Sequence, residues 1–168
     1  MMNEAINRLQ KANNVLRRGN IKDAIELYTD IIRTEPENPL VYYNLGLAFI
    51  ENEEYELAEK VFNQSLKLGL EEPRIYIGLG YCSLKEQNTQ RALNFFNKVG
   101  ERQPSYKEAL LGKILAYVNS RPPEGPDENL KKALDLLAKI KQLGVWNQEL
   151  SLIEKTVKNR IGYDSRKK

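Results

Sequence analysis

Asn38-Pro39-Leu40-Val41-Tyr42-Tyr43-Asn44-Leu45-Gly46-Leu47-Ala48-Phe49 decides the fold, because its pattern returns 34 residues later as Pro73-Arg74-Ile75-Tyr76-Ile77-Gly78-Leu79-Gly80-Tyr81. Pro39 and Pro73, Tyr42 and Tyr76, Leu45 and Leu79, and Gly46 and Gly80 all keep that step of 34. Outward from this pair, Ala24, Ala58 and Ala92 keep the same step, as do Phe62 and Phe96. Tyr28 extends the phenylalanine series one step earlier, and Pro36 and Pro104 lie two steps apart. One fixed period at so many kinds of position means stacked supersecondary units. The function class that follows is binding of other polypeptides on a solenoid surface. The partner itself is not named by the pattern.

Each unit reads as two helices. Asn38 is placed to cap the first, with Pro39 at its first helical position. Tyr42, Leu45, Phe49 and Ile50 recur at three- and four-residue steps, which is helical. Asn52-Glu53-Glu54 is a polar break, and Tyr55, Ala58, Val61, Phe62, Ser65 and Leu66 mark a second amphipathic helix that Gly69 stops. Repeat one turns at Gly19-Asn20 and repeat three at Gln87-Asn88. Helix pairs of this kind cannot bury their apolar faces alone, so they stack on their neighbours.

The pattern resembles the tetratricopeptide repeat. Repeat two matches through Tyr42, Leu45-Gly46, Phe49, Ala58, Phe62 and Ser65, and repeat three through Tyr76, Leu79-Gly80, Ala92, Phe96 and Pro104. Repeat one matches in its second helix only, through Ala24, Tyr28, Ile31 and Pro36; its first helix has Arg8, Lys11 and Ala12 at the aromatic and Leu-Gly positions, which suits a terminal repeat. The resemblance implies an all-α, right-handed solenoid of antiparallel helix pairs. Small residues at the helix crossings bring the axes close and aromatic residues fill the gaps between repeats, so these residues are structural.

The expected boundaries are repeats at 5–38, 39–72, 73–106 and 107–144, a capping helix at 146–161, and a disordered basic tail at 162–168, with 1–161 forming one domain. Repeat four is degenerate. Ser105 and Glu108 have the spacing of a capping box, and Ala133 follows Ala92 by 41 residues, seven more than the period. The excess falls at Arg121-Pro122-Pro123-Glu124-Gly125-Pro126-Asp127, where three prolines and a glycine forbid helix, and an extended turn is the plainest reading. Trp146, Leu150, Ile153, Val157 and Ile161 form one stripe, read as a cap on the open end of the stack, with partner binding as the rival reading.

Composition excludes much. The 168 residues are 41% hydrophobic and 29% charged, with no apolar run approaching the ~18 residues of a membrane span. The start, Met1-Met2-Asn3-Glu4, has no secretory pattern, so a cytoplasmic location is expected. Cys82 is the single cysteine and reads as a buried small apolar residue. There is no histidine, which removes the commonest general base and metal ligand. No phosphate loop appears, since Gly78-Leu79-Gly80 lies inside a helix, and Glu51, Glu53, Glu54 and Glu56 look like solvated charge at a turn. No catalytic residue, metal or cofactor is expected, and the chain reads as a non-enzyme. Net charge is +3, but residues 155–168 carry +5, so residues 1–154 sum to −2. A nearly neutral repeat body argues against nucleic acid as partner.

The resemblance places a peptide groove on the first helices. By register it is lined by Leu9 and Asn13 from repeat one, and by Tyr43, Asn44 and Leu47 from repeat two. Repeat three contributes Arg74, Ile77, Gly78, Tyr81 and Lys85, and repeat four Leu111, Gly112 and Leu115. Gly78 and Gly112, 34 residues apart, are expected to leave room for an incoming helix or bulky side chain, so that arginine at Gly78 blocks binding without unfolding the chain. Asn13 and Asn44 are expected to bond partner backbone, and Arg74 and Lys85 to meet acidic side chains. Adaptors of the family that hold chaperone tails use a Lys, Asn, Asn, Lys, Arg clamp; the matching positions here are Leu9, Asn13, Asn44, Arg74 and Gly78, which lack two of three cations and argue against that ligand. The leading expectation is a scaffold or adaptor that binds a peptide or amphipathic helix. The alternative is a dedicated chaperone for a secreted or assembly subunit, similar to type III secretion translocator chaperones. Self-association through the groove or terminal helix stays open.

Overall fold

The computed structural model describes residues 2–120 and 128–164. Among them are the helices α1 (Met2–Arg17), α2 (Ile21–Thr34), α3 (Pro39–Glu51), α4 (Tyr55–Lys67), α5 (Pro73–Lys85), α6 (Thr89–Phe96), α7 (Tyr106–Asn119), α8 (Glu128–Gln142) and α9 (Gln148–Asp164). No strand occurs among the described residues. The helices α1, α3, α5 and α7 each pack on the helix that follows, the pairs stack in chain order into an α-solenoid, and α9 packs on α8. The odd-numbered helices α1, α3, α5 and α7 also touch their odd-numbered neighbours, so they form the tight inner row.

Local chemistry sets the helix ends. The Asn38 side chain accepts a hydrogen bond from the Leu40 amide, with Pro39 at the first position of α3. Three inner-to-outer turns use one device at one register position, a left-handed residue at Gly19 (φ 81°), Glu53 (φ 61°) and Gln87 (φ 60°). Only glycine adopts that conformation without a Cβ penalty, so Glu53 and Gln87 hold strain that the flanking helices impose. The expected capping box at Ser105 and Glu108 is not formed. Ser105 makes no side-chain cap bond and is buried, while Glu108 is exposed.

The core alternates rings with gaps. Phe62, fully buried on α4, fills the space beside two glycines: a Cβ at Gly46 on α3 would stand 2.5 Å from its Cε1, and one at Gly78 on α5 2.6 Å from its Cε2. Phe96 on α6 repeats this between α5 and α7, where a Cβ at Gly80 or Gly112 would stand 2.4 Å from its Cε1. Real Cβ atoms do not approach so closely, so the missing side chains are what admit the rings. Burying each ring stabilises the stack by about 1.5–3 kcal/mol. In repeat one Ala12 takes the Gly46 position and packs in one core with Tyr28. The Tyr28 hydroxyl donates to Asn13 Oδ1 at 2.7 Å, and Arg8 reaches Thr34 Oγ1 at 2.9 Å.

The C-terminal helix packs against the last helix pair. Leu150 and Val157 are buried, and Leu150 joins Tyr106, Leu110, Ile114, Leu137 and Ile140 in one core that Trp146 and Ile153 flank. Arg160 Nη1 donates to the Val118 carbonyl of α7 at 2.9 Å. Trp146 lies before α9 begins, and α9 runs on to Asp164, so residues 162–164, expected to be disordered, are helical. The expectations for the tail at 165–168 and for the insertion at 121–127 lie outside the described residues.

Candidate functional site

The inner helices bring most of the expected groove residues into one band. Tyr43, Leu47, Tyr81, Leu111 and Leu115 are half-buried, and Ile77 is only 7% exposed, so Ile77 serves the core more than the surface. The two tyrosines rest on the stacking rings beneath them. Tyr43 lies 6.3 Å from Phe62 at a tilt of 44°, and Tyr81 lies 5.5 Å from Phe96, edge to face at 75°. Such pairs hold the tyrosines in place.

Electrostatics tie the band together. Burial raises the Tyr43 hydroxyl above its ordinary pKa; the Arg74 guanidinium beside it pulls the other way, and Glu72 and Glu108 reinforce the rise. Burial also raises Tyr81, again reinforced by Glu108. The Glu108 carboxylate on α7 is thus felt at both tyrosines. Lys85 places its ammonium over the Tyr55 ring at 5.1 Å. Asn13 spends its carboxamide oxygen on the Tyr28 hydroxyl, and Asn44 is half-buried.

Gly78 and Gly112 require a correction. Both are buried, and the space beside them is filled by Phe62 and Phe96 of the same chain. They open no room for a ligand. An arginine at Gly78 collides with Phe62 and disturbs the stack rather than blocking a groove. The error has a physical origin: register alone does not say whether a missing side chain faces a partner or a neighbouring repeat.

The register reading left out two exposed apolar residues on the inner helices. Ile6 and Leu40 are 48% and 47% exposed, large apolar side chains facing solvent. They precede Arg74 and Glu108 in a row with the 34-residue step. That step, applied backwards from Arg74, finds both. Elsewhere, a cleft of about 1190 Å³ lies where Leu84, Gln90, Leu93, Tyr117, Asn129 and Lys132 meet; it is polar and holds no cluster of titratable groups. Cys82 is buried, and burial pushes its thiol up to about 12, which makes it inert. No described helix is long and apolar enough to cross a membrane.

Comparison with known proteins agrees with this architecture. RNA polymerase II-associated protein 3 of Mus musculus is 28% identical over 119 residues, covering 70% of this chain and 18% of that protein. Serine/threonine-protein phosphatase T of Schizosaccharomyces pombe is 40% identical over 58 residues, 34% of this chain and 12% of that protein. The chain therefore spans less than a fifth of these relatives. Among solved structures, the MamA protein superposes with a TM-score of 0.77 at 15% identity, covering 96% of this chain and 85% of that one. The first repeat domain of Spaghetti (RPAP3), bound to the HSP90 peptide SRMEEVD, superposes with a TM-score of 0.53 at 20% identity, covering 83% and 91%. These structures share the fold. The profile of the Tetratricopeptide repeat family matches residues 9–69 and again 48–107, more than half of the sequence, and the chain belongs to that family.

Proposed function

We propose that this protein-interaction module holds a peptide or helix of a partner protein along the inner row of helices, with Tyr43, Leu47, Tyr81 and Leu111 as the floor. Asn13, Asn44, Arg74 and Lys85 stand beside it as polar contacts, and Ile77 closes it from below. One observation carries the reading. By the 34-residue step the apolar row continues to Ile6 and Leu40, large apolar side chains that are 48% and 47% exposed. Contiguous exposed apolar surface of this kind marks an interaction site. The positions that match the family's carboxylate clamp include Leu9 and Gly78, so an acidic tail such as SRMEEVD finds two of three cations missing.

A photo-crosslinking amino acid at Tyr43, at Tyr81 and at Lys60 on α4 tests the reading in native lysate. One partner captured at both tyrosine positions and not at Lys60 is the expected result. Capture at Lys60 alone moves the site to the outer helices.

A further inference from the structure

We infer that the cleft between the outer helices α6 and α8 is a second binding site, for an extended polypeptide segment whose backbone is held by the cleft's carboxamides and whose acidic side chain is taken by Lys113. The inference does not depend on the inner groove.

The cleft measures about 1190 Å³, more than the ~300–1,000 Å³ of small-molecule sites. Five carboxamides line it, Gln87, Gln90, Asn97, Asn119 and Asn129, and Lys132 is the only charged residue in its lining. Gln90 donates to Asn94 Oδ1 at 3.2 Å, and Asn129 donates to Ser120 Oγ at 2.9 Å. Gln87, Asn97 and Asn119 are exposed, and their side chains bond no described residue. Each carries an N–H donor and a carbonyl acceptor on one flat group, as a peptide unit does, so a set of them matches main chain. A nucleic acid would bring one phosphate per nucleotide to a lining with a single cation.

Lys113 supplies a second observation. It stands where the earlier repeats carry Leu45 and Leu79, which are 4% and 0% exposed. It lies one turn before Tyr117, a residue of the cleft, on the same face of α7. Lys113 is half-buried and makes no hydrogen bond or ion pair with any described residue. Burial lowers its ammonium below the ordinary lysine range; Lys139 nearby adds to the fall and Glu101 opposes it. The Glu101 carboxylate is itself engaged, accepting from Lys139 and, at 3.1 Å, from the Tyr106 hydroxyl. Net charge does not make the selection, because Glu128 and Asp135 stand four residues before Lys132 and Lys139 on α8 and offset them. The selection comes from one cation without a partner, at a position that holds leucine elsewhere in the stack. A carboxylate arriving there replaces the hydration that burial has removed.

The test is an NMR titration of the full isotope-labelled chain, followed through the side-chain amide signals of Gln87, Asn97 and Asn119. Two decapeptides of alternating serine and threonine serve as probes, one with a central glutamate and one with a central glutamine. The glutamate peptide should shift those signals and bind about tenfold more tightly than the glutamine peptide. Lys113→Leu, which restores the residue of the earlier repeats, should keep the fold and bring the two peptides to equal affinity. Asn97→Ala/Asn119→Ala should weaken both several-fold, and Leu47→Arg in the inner groove should change neither. Equal affinities for the unaltered chain, a glutamate preference that survives Lys113→Leu, or carboxamide variants that bind as tightly as before overturn the inference. So do loss of binding with Leu47→Arg, absence of binding, and a thymidine oligonucleotide that shifts the same signals when neither peptide does.

Discussion

Ile114 stands where Gly46 and Gly80 stand in earlier repeats, and Leu137 stands where Phe62 and Phe96 stand; both are buried in one core. Repeat four has exchanged a glycine and a ring for two aliphatic side chains of intermediate size. Close-packed interiors tolerate such exchanges only when the total volume is kept. Leu137→Phe alone should overpack the site and cost about 1–3 kcal/mol. Ile114→Gly alone should cost about 3–5 kcal/mol through its cavity and the lost helix propensity. The double variant restores the earlier pairing, so a urea-melt cycle should show a favourable coupling of at least about 1 kcal/mol. Additive costs would mean that the two residues do not share the site.

Helix propensity and packing oppose each other at Gly78. Alanine there should gain about 1 kcal/mol as a helix former. Its Cβ would stand 2.6 Å from Phe62 Cε2, and the overpacking should cost about 1–3 kcal/mol. Gly78→Ala is therefore expected to destabilise, and Phe62→Leu in the same chain should recover part of the loss. A rise in melting temperature for Gly78→Ala alone would show that the ring moves aside freely.

The left-handed turn residues offer the reverse experiment. Glu53 and Gln87 sit at φ 61° and 60°, where glycine carries no penalty. Glu53→Gly and Gln87→Gly should each stabilise by about 0.5–1 kcal/mol, the relief of strain exceeding the added chain entropy. Gly19→Ala, at φ 81°, should destabilise by about 1–2 kcal/mol. Chemical denaturation of the three variants reads the signs directly.

Alkaline pH should weaken the fold. Burial holds both the Cys82 thiol and the Tyr28 hydroxyl neutral up to about 12. In the unfolded chain they ionise near ~8.5 and ~10. Above those values the unfolded state binds fewer protons than the folded state, so stability falls as pH rises, from about pH 8.5 towards 12. The urea midpoint is expected to decline across that window, and Cys82→Ala should flatten its first part. A midpoint constant from pH 7 to 10.5 would show that neither group stays neutral in the folded state.

Much of this was legible in the residues. Pro39, Tyr42, Gly46, Ala58 and Phe62 announced the period, and helices formed where three- and four-residue steps placed apolar side chains, because those steps are a property of the helix itself. Cys82 read as a core residue is buried in the structure. Less was legible at the groove. Ser105 and Glu108 had the spacing of a capping box and do not form one, since a cap depends on the backbone angles at the junction.

The sequence by itself determined the repeat length, the helix pairs and the stacking residues, since all of these follow from periodicity and side-chain size. The tertiary structure decided what each inner face meets. Gly78 was open by register and is filled by Phe62, and Ile77 was a groove wall and is mostly core. These differences arise from the contact between one repeat and the next, and the distance and rotation of that contact are set by the rings packed in it.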